Sequence, residues 1–228
     1  MIVKLISYSQ PSDIFMDYDQ DDRQHLDNLE KLVAFCARVS NPSNQYNSDT
    51  NEKLLKYLIK FQHWSPFEMV SICLEIETTR DIARQILRHR SFSFQEFSQR
   101  YADPTKDLNF VTREARLQDN KNRQNSIEVD DENLQANWKL KQSLVMQEAL
   151  EAYSWAIDAG IAKEQARAVL PEGNMGSKIY MNGTLRSWIH YIGLRSGHGT
   201  QKEHQEVACA CAEAIKPVFP MITEFISE

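Results

Sequence analysis

Residues 70 to 100 change their apolar period twice, which places a helix between two strands. Val70 to Glu77 alternates apolar with small or polar residues, the pattern of a strand with one buried face. Thr78, followed three residues later by Asp81, resembles a helix capping box. The helix it opens runs from about Arg80 to Arg88. It buries Ile82, Ala83, Ile86 and Leu87 and presents Arg84, Gln85 and Arg88 on another face. Phe92 and Phe94 then share a parity that Phe97 breaks, so a bulge or turn is expected near Gln95. If the chain stays extended beyond it, Glu96, Ser98 and Arg100 point the same way.

The same stretch concentrates charge. Arg80, Arg84, Arg88, Arg90 and Arg100 stand against Asp81 and Glu96, with no lysine, a surplus of three positive charges in a chain of net charge −6. Guanidinium groups stay ionised and offer forked donors that match phosphate or carboxylate. Phe92, Phe94 and Phe97 can cover a planar ring. Such a stretch suits a nucleotide or a flavin; an ordinary surface with ion pairs is the plainer reading. Binding long nucleic acid needs a broader basic field than this acidic chain offers. A non-catalytic nucleotide- or RNA-binding module stays open as the alternative function, favoured by the arginine cluster alone.

At 228 residues with 42% hydrophobic content, the chain can bury a real core. No apolar run approaches the roughly 20 residues of a membrane span, and the N-terminus shows no secretory pattern. Cys36, Cys73, Cys209 and Cys211 form no Cys-x-x-Cys pair and read as reduced core thiols, so a cytoplasmic protein is expected.

Along the rest of the chain, Ile2 to Tyr8 reads as a strand, and residues 13 to 30, with seven acids, as a solvated loop. Leu26 to Val39 and Leu54 to Phe61 are helical by spacing. Residues 103 to 133 read as a long polar excursion. Leu134 to Ala159 is a long helix, and Lys163 to Val169 a short one before Pro171. Asn182 to Leu194 is an amphipathic helix with Arg186 and His190 on one face. Gln201 to Ile215 closes the chain with Val207, Ala208, Cys211, Ala214 and Ile215 inward.

Neither a Walker loop nor a dinucleotide fingerprint is present, so phosphate recognition falls to side chains. His198 and His204, six apart, lack the tight spacing of zinc ligands, and no metal site is expected. The segment His63 to Glu68 reads equally as a Ser-Pro turn. Arg167 and Arg195 read equally as favourable charges at helix C-termini.

Arg88-His89-Arg90, seven residues, then Ser98 resembles the signature of flavin-dependent thymidylate synthases. Phe61-Gln-His-Trp-Ser-Pro-Phe-Glu68, Ala83-Arg-Gln85, Arg167-x-x-Leu-Pro171, Asn182-Gly-Thr-Leu-Arg186 to Arg195 and Cys36-Ala-Arg-Val-Ser40 resemble further family elements, in the family's order. The resemblance implies an α+β fold, with a central antiparallel sheet flanked by helices, in a single domain over residues 1–228. It implies a homotetramer with active sites shared between subunits. It also implies methylation of dUMP to dTMP with methylenetetrahydrofolate as carbon donor, FAD as hydride carrier and NADPH as reductant. On this resemblance dUMP contacts fall on Gln85, Ile86, Leu87 and Arg88, on Glu96, Phe97, Ser98, Gln99 and Arg100, and on Arg167. Arg195 favours ionisation of the uracil ring and is the catalytic candidate. FAD contacts fall on Ser65, Arg88, His89, Arg90, Glu96, Thr184, Leu185, Arg186 and His190, with His63 near flavin and folate. No membrane or nucleic-acid partner is implied.

Overall fold

The computed structural model describes residues 1–12 and 28–227. The elements in chain order are β1 (Ile2–Tyr8), α1 (Leu29–Ala37), α2 (Asn51–Lys60), β2 (Ser71–Thr79), α3 (Arg80–Ile86) and β3 (Phe92–Glu96). Next come α4 (Pro104–Asp107), β4 (Arg116–Gln118), β5 (Ser126–Glu128), α5 (Glu132–Asp158) and α6 (Lys163–Ala166). Then follow β6 (Gly176–Thr184), α7 (Leu185–Arg195) and α8 (Lys202–Ile215). Most of the acidic loop expected at 13 to 30 lies outside the described residues.

The architecture is α+β. Four strands form an antiparallel sheet in the order β1-β2-β6-β3. Ile72, Gly183 and Phe92 lie abreast across it, as do Leu74, Met181 and Phe94, then Ile76, Ile179 and Glu96. These rows face the core, where α7 and α8 cover them with Trp188, Ile189, Ile192, Val207, Ala208 and Cys211. The opposite face is polar, with Lys4 and Tyr180 both bonded to Glu75, at 2.9 and 2.8 Å. One buried and one polar face is the usual state of such a sheet.

β6 is the main departure from the sequence reading. Its residues Asn182 to Thr184, expected in a helix, complete the sheet's second interior strand. A Cβ on Gly183 would stand 2.4 Å from the Phe92 ring, so only glycine admits that ring. Other corrections are smaller. α1 starts at Leu29, and α2 starts at Asn51, three residues before Leu54. α3 ends at Ile86, and its N-cap is Thr79, whose hydroxyl bonds Asp81 at 2.7 Å and makes no backbone cap. No bulge occurs at Gln95; pairing is continuous from Phe92 to Glu96, and the break at Phe97 is the end of the strand. A turn from Gln99 to Tyr101 then prevents Glu96, Ser98 and Arg100 from sharing one extended face. A register slip does occur, in β1 between Leu5 and Ser7. On α8, Ala214 is only half-buried, and Ala212 is fully covered.

The excursion is structured. β4 and β5 form a hairpin, and Phe110 bridges to Met175. α5 holds the stretch with two glutamines. Gln142 accepts from the Arg113 N–H and donates to the Arg113 carbonyl, both at 2.8 Å. Gln135 does the same for Ala115, at 2.8 and 2.9 Å. Elsewhere α5 is poorly covered: Trp138, Leu140, Leu144, Val145 and Trp155 are exposed, Trp155 by 67%. No helix among the described residues is long and apolar enough to cross a membrane.

Candidate active site

Glu96 ends β3 on the apolar face of the sheet, level with Ile179 and Ile76. A carboxylate there needs compensation. α3 starts directly at the end of β2, and its first turns supply it. Arg84 donates to Glu96 at 3.0 Å, Arg80 lies 3.5 Å away, and the Ser177 hydroxyl donates at 2.9 Å. Glu172 approaches the same two guanidiniums at 3.5 and 3.9 Å. Arg80 is only 8% exposed, and burial lowers its pKa, with the Glu96 charge opposing the shift. Arg80 and Arg84 are therefore occupied by acids of their own chain.

The two arginines just past the end of α3 differ. Arg88 and Arg90 are exposed, and neither makes an ion pair or side-chain hydrogen bond among the described residues. Between them His89 turns inward, edge-on to Tyr191 at 4.9 Å. Its Nε2 accepts a 2.9 Å hydrogen bond from Nε of Arg195. Burial, then the Arg195 and Arg88 charges, push its pKa down to about 4. The ring is thus neutral near pH 7, as an acceptor must be. Arg195, in the last turn of α7, is fixed through Nε, while its terminal nitrogens, without a partner among the described residues, can fork onto an anion.

The remaining expected residues form two further groups. Arg100 pairs with Glu164 at 3.3 Å, and Arg167 donates to the Glu164 carbonyl at 3.3 Å, so these two approach each other through α6. Ser98 accepts from the Arg100 N–H at 3.4 Å, and Gln99 is buried with no partner for its Nε2 among the described residues. On the other side, the Trp64 and His190 rings pack at 4.6 Å, tilted by 59°, and Arg186 donates to Glu68 at 2.6 Å. Burial, then the Arg186 charge, lowers the His190 pKa. Exposed Ser65 and His63 lie in the adjoining turn, His63 near the Phe61 and Tyr57 rings. Thr184 caps α7 through the Ser187 N–H at 3.3 Å, and Ser187 Oγ ties α7 to the Ser91 carbonyl at 3.2 Å. Ile86 and Leu185 point fully into the core, leaving only backbone for a ligand, while Leu87 and Phe97 are half-buried.

Sequence reasoning missed Tyr191, Gln201 and His204 behind this surface, and Ser177 and Glu172 around Glu96. His204 was legible in principle, because it shares the stripe of Val207, Ala208 and Cys211. A cleft of about 400 Å³ beside the sheet, between residues 77–79 and 107–114, contains none of the expected residues. The cysteines depart from expectation: only Cys211 is buried, and Cys36, Cys73 and Cys209 are half-buried. Burial raises all four thiol pKa values.

The family described as "Thymidylate synthase complementing protein" matches residues 23–221. A probable flavin-dependent thymidylate synthase of Paramecium bursaria Chlorella virus 1 is 46% identical over 224 residues, 98% of each chain. A flavin-dependent thymidylate synthase of Synechocystis is 49% identical over 193 residues, 85% of this chain and 87% of that one. The fold matches a crystal structure of the UMP/dUMP methylase PolB from Streptomyces cacaoi bound with 5-Br dUMP. The TM-score is 0.76 at 25% identity, over 98% of this chain and 93% of that one. With matches of this extent, the chain belongs to the flavin-dependent thymidylate synthase family.

Proposed function

We propose that this chain converts dUMP to dTMP, with methylenetetrahydrofolate as carbon donor and NADPH as reductant. The observation that carries the reading is the guanidinium of Arg195, held through Nε by neutral His89 with its forked end free. Arg195 stabilises the anionic uracil ring and so lowers its pKa. Arg88 and Arg167, with the Ser98 to Arg100 turn, hold the phosphate end. The residues suit FAD: Arg90 and Arg88, unpaired among the described residues, are cations for a pyrophosphate, and the Trp64–His190 pair offers an aromatic wall. When bound, FAD supplies the hydride chemistry. His89 and His190 stay neutral near pH 7, so the arginines carry the positive charge of this surface. Raised thiol pKa values keep the cysteines protonated and unsuited to attack on the pyrimidine.

The expected residues spread over an open surface, and α5 exposes a long apolar face. Both support a homotetramer whose subunits complete one another's sites. We further read residues 1–228 as one domain of a cytoplasmic enzyme.

The test is a purified protein that absorbs near ~450 nm as a flavoprotein. After anaerobic reduction by NADPH it should form dTMP from dUMP and methylenetetrahydrofolate. A flavin-free protein that takes up no FAD and forms no dTMP would refute the reading. Mixing two different inactive site variants should restore part of the activity through hybrid oligomers; full activity in a monomeric sample would refute the shared site.

A further inference from the structure

Behind Gln85 runs a chain of hydrogen bonds whose direction is fixed by its far end. Glu203, at the start of α8, accepts from Arg116 at 2.5 Å and from Nε2 of Gln201 at 2.9 Å. Burial pushes the Glu203 pKa up, but its own N–H, Gln201 and the Arg116 and Arg113 charges outweigh burial and leave it lowered. It is a carboxylate and can only accept.

Each following link then has one solution. Gln201 spends an N–H on Glu203, so its Oε1 faces Gln85 and accepts from Gln85 Nε2 at 2.8 Å. The Oε1 of Gln85 therefore faces Nδ1 of His204, 3.2 Å away, and must accept from it. His204 is 0% exposed. Burial, then the nearby Arg195 charge, holds its pKa down to about 3, so the ring is neutral, and the Gln85 Oε1 places its single proton on Nδ1. Its bare Nε2 accepts from the Tyr191 hydroxyl at 3.1 Å. Every donor points from Tyr191 toward Glu203, an arrangement in which successive bonds polarise one another.

We propose that His204 is a positioning residue for nucleotide binding that acts through Gln85. Its Nδ1–H turns the Gln85 carbonyl toward the core and the Gln85 amino group outward to Gln201. One N–H of that amino group is used by Gln201, and the other is left as the donor that Gln85 offers a ligand. Without His204 the amide is held at one end only, by Gln201, and can swing so that Gln85 presents its carbonyl, an acceptor, against an anionic or carbonyl-bearing nucleotide. The inference rests on reading Gln85 as a dUMP contact, and it adds a residue buried in the core, away from the solvent-facing side of the site.

Two variants of matched chemistry test it. His204→Asn keeps an N–H close to the position of Nδ1, whereas His204→Gln carries its amide out to the position of Nε2 and deprives Gln85 of its donor. Binding of dUMP is read by titration calorimetry on folded, FAD-loaded protein, with KM and kcat for dTMP formation alongside. His204→Asn should bind dUMP as the parent does. His204→Gln should raise Kd and KM about tenfold, the scale of one lost hydrogen bond, with kcat within about twofold. Equal affinities in the two variants overturn the proposal. So does a difference that persists when Gln85→Ala is added to both. If His204→Gln does not fold, His204→Phe replaces it with the same expected loss. A parent protein that binds no dUMP defeats the functional reading; a parent that binds it, with Asn and Gln variants alike, defeats only the role of His204.

Discussion

The start of α3 and the turn after its end carry the same residue type in opposite states. Arg80 and Arg84 are held by Glu96 and Glu172 against the margin of the core. Arg88 and Arg90, only one or two turns further along, face solvent with no ion-pair partner among the described residues. An arginine count therefore says little about binding until each guanidinium's partner is known. The first pair fixes the strand that ends in Glu96; the second is the one we propose for a phosphate.

The largest effect should come from the occupied pair. Glu96→Gln removes the carboxylate between two guanidiniums, one of them buried, and should cost about 3 kcal/mol of stability. Urea unfolding measures it, and an unchanged midpoint would show that Glu172 alone satisfies both arginines. Arg88→Ala is the converse experiment. Its stability should stay within about 0.5 kcal/mol of the parent, while dUMP binding weakens by about 1.5–3 kcal/mol, roughly ten- to a hundredfold. Unchanged dUMP affinity would remove Arg88 from the site and erase the contrast.

Acid sharpens the comparison, because it leaves arginines alone and reaches the histidines packed between them. His89 and His204 have pKa values lowered from 6.5 to about 4 and about 3. Below about pH 6.5 the unfolded chain takes up protons that the folded chain refuses. Their contribution to stability is complete above that pH. It is lost as pH falls toward 4, by up to about 1.4 kcal/mol per pH unit for each ring. Unfolding curves at pH 7 and pH 5 test the sign, and His204→Asn should flatten the slope. The smallest effect on turnover should come from the thiols. Cys211→Ser buries a hydroxyl and should cost about 1–3 kcal/mol of stability, yet leave dTMP formation per FAD-loaded protein within a few-fold. Loss of activity in a folded, flavin-bearing Cys→Ser variant would mean covalent catalysis by that thiol.

β2, the amphipathic α7 and α8 were legible because each shows a clear apolar period. β6 was not. Its inward residues Ser177, Ile179, Met181 and Gly183 do alternate, but Asn182-Gly183 mimics a turn, and the space beside Gly183 is filled by Phe92 from a distant segment. Residues 103 to 133 looked like a free loop because their partners are glutamines on a helix. The residues proposed for the site could be named from the resemblance of their motifs. The division of the arginines could not, since it depends on Glu172 and Ser177, which only the fold brings to Glu96.

The two glutamine clamps make α5 a mechanical part. The helix is 27 residues long, a rod of about 40 Å. Gln135 and Gln142 grip Ala115 and Arg113 by their backbones, so the rod cannot slide without dragging that segment. Arg113 in turn grips Thr79 and Asp81 at 2.7 and 2.6 Å, where α3 begins. Pressure on the exposed apolar side of α5 would thus be delivered as tension at the root of the helix that carries Gln85.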